Sequence, residues 1–137
     1  MTTAAKKTDR TEAHLPHEFK RVRLELAREK AHPEGCATYG YILVLPLDKN
    51  DRIDTESWRR NRSACRVVRF RPGEPDAVGH IVKKPGGSWA FHYDIKGGDD
   101  DDAGYRLSDD IFVIGGYVSV RDDDGLHTFR IVSVQST

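Results

Sequence analysis

Residues 77–94 read AVGHIVKKPGGSWAFHYD, and how this stretch folds decides the architecture. Two runs rich in β-branched and aromatic residues flank a Pro-Gly-Gly breaker, the pattern of two strands joined by a tight connection. The pairing depends on the length of the turn, because a slip of one residue sends every side chain to the other face. A three-residue loop, Pro85–Gly87, read as a type I turn closed by a left-handed glycine, sets Lys84 against Ser88. Ile81 then faces Phe91 and Gly79 faces Tyr93, so that Ile81, Trp89, Phe91 and Tyr93 form one apolar surface. A two-residue turn would set Ile81 against Ala90 and mix the faces. The three-residue register is therefore expected.

Working outward, the same alternation recurs. Val22, Leu24 and Leu26 are separated by Arg23 and Glu25, and this spacing spreads over too wide an arc for a helix spanning 18–30. His32-Pro33-Glu34-Gly35 breaks the chain before a near-continuous apolar strand over 38–47. A strand over 66–71 precedes the hairpin. After it, strands are expected at 105–107, 111–114, 117–121 and 126–134. In the last pair, Asp124-Gly125 as a two-residue primed turn sets Val120 against Phe129 and Val118 against Ile131. One helix stands out at about 54–63, with Asp54 as its cap, Glu56 in the first turn, and Arg59, Arg60 and Arg62 later, as the helix dipole favours. Trp58 and Cys65 are its expected packing residues. Seven to eight short strands with one short α-helix indicate a mainly β fold, a small antiparallel β-barrel or sandwich.

The chain has 137 residues, 37% hydrophobic and 32% charged, with 22 basic and 22 acidic side chains. This suits one domain over 18–137 behind a polar, aperiodic tail over 1–17, which reads as disordered. No apolar run approaches the roughly 20 residues of a membrane helix, and no secretory signal is visible after Met1. A cytoplasmic protein with no membrane partner is expected, with Cys36 and Cys65 as reduced thiols. The balanced charge conceals a split: residues 1–93 hold 18 Lys/Arg against 12 Asp/Glu, and residues 94–137 hold 4 against 10. The acidic hairpins folding back over basic strands would explain it, and self-association into a homo-oligomer is the alternative.

Six histidines raise the question of metal. His14 and His17 lie in the tail with Pro16 between them. His80 and His92 are placed opposite each other by the preferred register, on the face away from Trp89 and Phe91. Two imidazoles are fewer than the three or four protein ligands zinc normally takes, so no metal or other cofactor is assigned. His127 is expected opposite Asp122 as a cross-strand ion pair. The aspartate clusters fail the calcium-loop spacing whether counted from Asp48 or from Asp94. Lys96–Gly104 (KGGDDDDAG) reads as a mobile acidic loop whose four aspartates repel one another and pack against nothing.

The strongest electrostatic feature is Arg59, Arg60, Arg62, Arg66, Arg69 and Arg71, with Trp58 and Phe70 interleaved. Arginine forks suit phosphates and carboxylates, and an aromatic neighbour can stack on a base. Arg69 and Arg71 share one strand face, and the guanidinium groups are expected outermost. Arg59, Arg62, Arg66, Arg69, Arg71 and Trp58 are thus the candidate binding residues for an acidic protein or a nucleic acid. Nucleophile elbows and glycine-rich phosphate loops are missing, so the reading leans away from an enzyme.

Trp89-Ala90-Phe91, Tyr93-Asp94 and His127-Thr128-Phe129-Arg130 resemble a small bacterial family of unknown function, over about residues 17–134. The resemblance implies no activity and carries over no functional residue. The expected function is non-catalytic binding through the arginine surface. The alternatives are a barrel holding a small apolar ligand among Trp89, Phe91 and Tyr93, or a metal-dependent enzyme at His80 and His92.

Overall fold

A computed structural model describes residues 18–94, 101–104 and 106–137. The expected tail, residues 96–100 of the acidic loop and Tyr105 of the expected strand over 105–107 lie outside the described residues. Eight antiparallel strands follow one another round a closed barrel: β1 (Phe19–Leu26), β2 (Cys36–Pro46), β3 (Arg66–Phe70), β4 (Ala77–Lys83), β5 (Trp89–Tyr93), β6 (Asp102–Gly104), β7 (Tyr117–Asp122) and β8 (Gly125–Ser136). Closure comes from β1, which pairs with both β2 and β8. Among the described residues every strand thereby has a partner on both sides, which removes the open edge that unclosed sheets must protect. Among the described residues, no helix is long and apolar enough to cross a membrane.

The decisive hairpin takes the expected register, with Gly79 opposite Tyr93, His80 opposite His92 and Ile81 opposite Phe91. Its turn differs in type. The Gly87 N–H donates to the Lys84 carbonyl (2.9 Å), and Gly86 already has φ +97°, which makes this a type II turn rather than type I.

Other expectations are corrected as well, among them the strand over 105–107, where Leu107 instead opens a 3-10 turn over Leu107–Asp109. The helix α1 covers only Thr55–Arg60, capped by the Asp54 carboxylate accepting from the Ser57 N–H (3.1 Å). It then tightens into a 3-10 turn over Arg62–Ala64, a common way for a helix to end. Residues 111–114 form no strand. Phe112 is buried and its N–H bonds to the Asp51 carbonyl, which ties this segment to a loop instead of a ladder. The strand that completes the barrel is β6, within the supposed acidic loop.

The last hairpin pairs Val118 with Phe129 and Asp122 with Gly125, two residues away from the expected register. Neither Asp123 nor Asp124 has the positive φ that a primed turn needs, whereas Gly125 does at +126°. A shift of two preserves the faces, so Val118, Val120, Phe129 and Ile131 still point inward and are buried.

The core is continuous through the barrel. Phe91, Tyr41 and Phe129 contact one another at centroid separations of 5.2 and 5.1 Å, both through Tyr41. Trp89 meets Trp58 edge-on at 5.0 Å and donates its Nε1–H to Ser108 Oγ (2.9 Å).

Candidate binding groove and buried polar network

Barrel parity places the arginines differently from the sequence expectation. Val67 is fully buried and sets the inward phase of β3, so Arg69 and Arg71 in the same phase enter the barrel end and are not outermost. Tyr39 and Tyr41 continue the inward phase of Leu43 and Leu45 on the neighbouring strand in the same way. These four polar residues meet two buried aspartates.

The Asp102 side chain is 4% exposed. Its Oδ2 accepts from Tyr93 Oη (2.7 Å), Tyr41 Oη (3.0 Å) and Arg69 Nη1 (3.3 Å), and the Arg69 guanidinium also lies 4.7 Å over the Tyr93 ring. Burial and the adjoining carboxylate raise the pKa of both tyrosines above the usual phenol range. Asp102 is therefore the opposite of an unpacked loop residue: it is the acceptor on which three strands converge.

A second network lies one layer nearer the barrel mouth. Asp122 accepts from Tyr39 Oη and Arg71 Nη2, each at 2.9 Å, and Arg71 Nη2 also reaches Asp123 (3.1 Å). Burial works against the Arg71 charge, yet Asp123, Tyr39 and Asp122 raise its pKa overall. Arg71 in turn holds the Asp123 carboxyl below its usual range. His127 lies opposite Val120 instead of Asp122, but its Nε2 still comes within 3.7 Å of Asp122 Oδ1. Asp122, Asp124 and His127 are a group in which three ligand atoms converge within 4.8 Å. The charge split of the sequence is thus used within one chain, where the acidic strands pair with the arginines of β3.

Of the remaining candidates, the arginines lie outside the barrel, while Trp58 is buried against its core. Arg59 and Arg60 pair with Glu56 along α1. Arg62, by contrast, lays its guanidinium 4.8 Å over the Trp58 ring, while Trp58 Nε1 donates to the Ile81 carbonyl (2.9 Å). Trp58, Arg62, Ser63, His80, Lys83 and His92 line a groove of about 420 Å³ between the helical turn and the outer face of β4 and β5. Two features that the sequence presented separately, the Trp58–Arg62 pair and the His80–His92 pair, therefore share one concavity.

His80 Nδ1 lies 3.4 Å from Asp94, and its Nε2 lies 3.5 Å from Arg66 Nη1. An arginine only donates, so the Arg66 contact uses the Nε2 lone pair, while Nδ1 faces Asp94. Both nitrogens of His80 are engaged, so it presents no free lone pair toward His92. His92 Nδ1 faces Asp101 (2.8 Å), which also receives Lys84 Nζ (2.6 Å). Burial disfavours the Asp101 charge, but Lys84 and His92 outweigh it and lower its pKa.

Cys36 is partly exposed and Cys65 is buried, both as free thiols; burial pushes the Cys65 thiol up to about 12. The chain matches no known family, no curated protein and no solved structure.

Proposed function

We propose that this barrel is a non-catalytic binding domain for single-stranded nucleic acid, and that the groove beside α1 is its recognition site. The observation that carries the reading is the Arg62 guanidinium stacked on Trp58 in a groove that also holds His80, Lys83 and His92. A guanidinium plane backed by an indole offers a base a flat, polarisable platform, and cations at the rim suit the phosphates on either side. The volume of about 420 Å³ falls in the range of small-ligand sites, large enough for one nucleotide. An acidic peptide would use the cations but brings no base-sized aromatic face to the platform. Arg69 and Arg71 are withdrawn from this role, because their charges are met inside the barrel.

The test is fluorescence anisotropy with a labelled oligo-dT. If Arg62, Arg66 and Lys83 each meet one phosphate, counterion release from a single strand gives a log–log salt slope of about −2. Affinity then falls about 20-fold between roughly 50 and 200 mM salt. Arg62→Ala removes both platform and charge and lowers affinity further than Arg59→Ala, which leaves the groove unchanged. Binding insensitive to salt, equal loss from the two variants, or equally tight binding of poly-glutamate would each refute the nucleic-acid reading.

A further inference from the structure

His127 sits nine-tenths buried at the barrel mouth, with a carboxylate against each ring nitrogen. Nδ1 is 2.9 Å from Glu29 Oε1, in the connection between β1 and β2. Nε2 is 3.1 Å from Asp124 Oδ2, in the turn between β7 and β8, and 3.7 Å from Asp122 Oδ1. A neutral imidazole has one N–H and donates on one side only; its other nitrogen would turn a lone pair toward a carboxylate. A cation at His127, either a proton on each nitrogen or a metal on Nε2, satisfies both contacts.

The surroundings favour the proton. Asp122 is already taken at Oδ2 by Arg71 and Tyr39, and its Oδ1 accepts the Asp124 N–H (2.8 Å). A metal would lie close to a guanidinium while competing for oxygens already bonded. An imidazolium needs only the two contacts that are present.

We propose that His127 is a pH-operated latch, whose imidazolium ties the β7–β8 turn to the β1–β2 connection and lets go when it loses a proton. Glu29 comes from the β1–β2 connection, where its second oxygen lies 3.4 Å from His32 Nδ1. Tyr39 of β2 places its ring 5.7 Å from the imidazole. Asp122 and Asp124 come from β7 and its turn, and Arg71, the residue after β3, bound to Asp122 and Asp123, balances part of their charge. Burial lowers the His127 pKa, but the Glu29 hydrogen bond and the nearby carboxylates exceed it, so the pKa is raised.

The sign follows from linkage. A histidine with a raised folded pKa stabilises fully below its unfolded value, about 6.5, and loses that contribution as pH rises through the higher folded value. The latch is therefore shut in mild acid and open in base. Next to it, the Ala27 N–H donates to the Thr128 carbonyl (2.9 Å), and both residues line a groove of about 850 Å³ along the outer side of β1 and β8. Opening loosens that wall first.

Imidazole ¹⁵N correlation spectra across about pH 5 to 8 read the latch directly, with amide exchange protection at Ala27 and Asp124 followed in parallel. Expected are protons on both His127 nitrogens in acid, a midpoint above 6.5, and protection that falls through that same midpoint after correction for intrinsic exchange. Glu29→Gln should bring the midpoint down, by about tenfold in proton affinity, with the barrel intact. A single-proton tautomer throughout, a midpoint at or below the ordinary value, or protection indifferent to it would overturn the latch. So would zinc added near neutral pH displacing the Nε2 proton, because Nε2 would then be a metal ligand.

Discussion

Removing the Asp102 carboxylate should be the most damaging single change inside the barrel, and its cost can be worked from the contacts. Asp102→Ala leaves the Arg69 guanidinium, whose side chain is 19% exposed, without its counter-charge, and takes the acceptor from Tyr41 and Tyr93. Breaking a buried ion pair from one side costs about 3–5 kcal/mol, since the surviving charge stays buried. Each hydroxyl that loses a charged acceptor would add about 1.5–3 kcal/mol if nothing moved. These contributions overlap, because Arg69 can reach water through its exposed part and the hydroxyls can rotate. A loss of about 4 kcal/mol is expected. With a urea slope of about 2 kcal/mol per molar, the unfolding midpoint falls by about 2 M. Urea titration of Asp102→Ala, Arg69→Met and the double variant measures the coupling. The double should cost much less than the sum, because both charges leave together. A single-variant loss below about 1 kcal/mol, or strict additivity in the double, would refute the assignment of Asp102 as the point of convergence.

Three further outcomes are expected. Gly40→Ala should destabilise by more than about 3 kcal/mol in thermal or urea unfolding, because its Cβ would lie 1.9 Å from the Leu24 carbonyl oxygen, a backbone atom with no room to yield. Asp110 has a pKa raised to about 6 by burial and by Asp109, so its stabilising contribution is full below the ordinary carboxylate value and is lost as pH rises through about 6. Asp110→Asn should accordingly raise the melting temperature near pH 7 and leave it unchanged near pH 4, the gain being only about 1 kcal/mol after solvent screening. Thiol titration of the native protein with a disulfide reagent should show one fast equivalent from Cys36, with Cys65 reacting only on unfolding.

What the sequence made legible, and what it hid, follows from how each feature is encoded. The 77–94 register was readable because a slip of one residue would have put His80 on the face of Trp89 and Phe91 and Ile81 on the opposite one, and that cost is written in the alternation itself. The face of the last hairpin was readable for the same reason, but its exact pairing was not. Moving the turn by two residues leaves every apolar side chain inside, so only local backbone preference, Gly125 taking the positive φ, decides it. The arginines of β3 were misread because charge was allowed to override phase. Val67 dictates that Arg69 and Arg71 point inward, and their partners Asp102 and Asp122 are 33 and 51 residues away in the chain. Composition showed those aspartates only as an acidic run. Nothing local distinguishes Asp102 from Asp101; barrel closure does, by bringing the first within reach of the Tyr41 and Tyr93 hydroxyls and the second beside Lys84. The groove was half visible for a related reason. Trp58 lies in α1 and Arg62 in the 3-10 turn that follows it, and His80 and His92 are cross-strand partners in one hairpin, so each pair is local in the chain. Their meeting depends on the Trp58 Nε1–H reaching the Ile81 carbonyl, a contact that exists only once the helix has packed across the closed sheet. The binding reading therefore rests on that packing: Trp58→Phe, which keeps the ring but loses the hydrogen bond, should weaken oligo-dT binding while far-ultraviolet circular dichroism stays unchanged, and undiminished binding would detach the site from the helix that forms its wall.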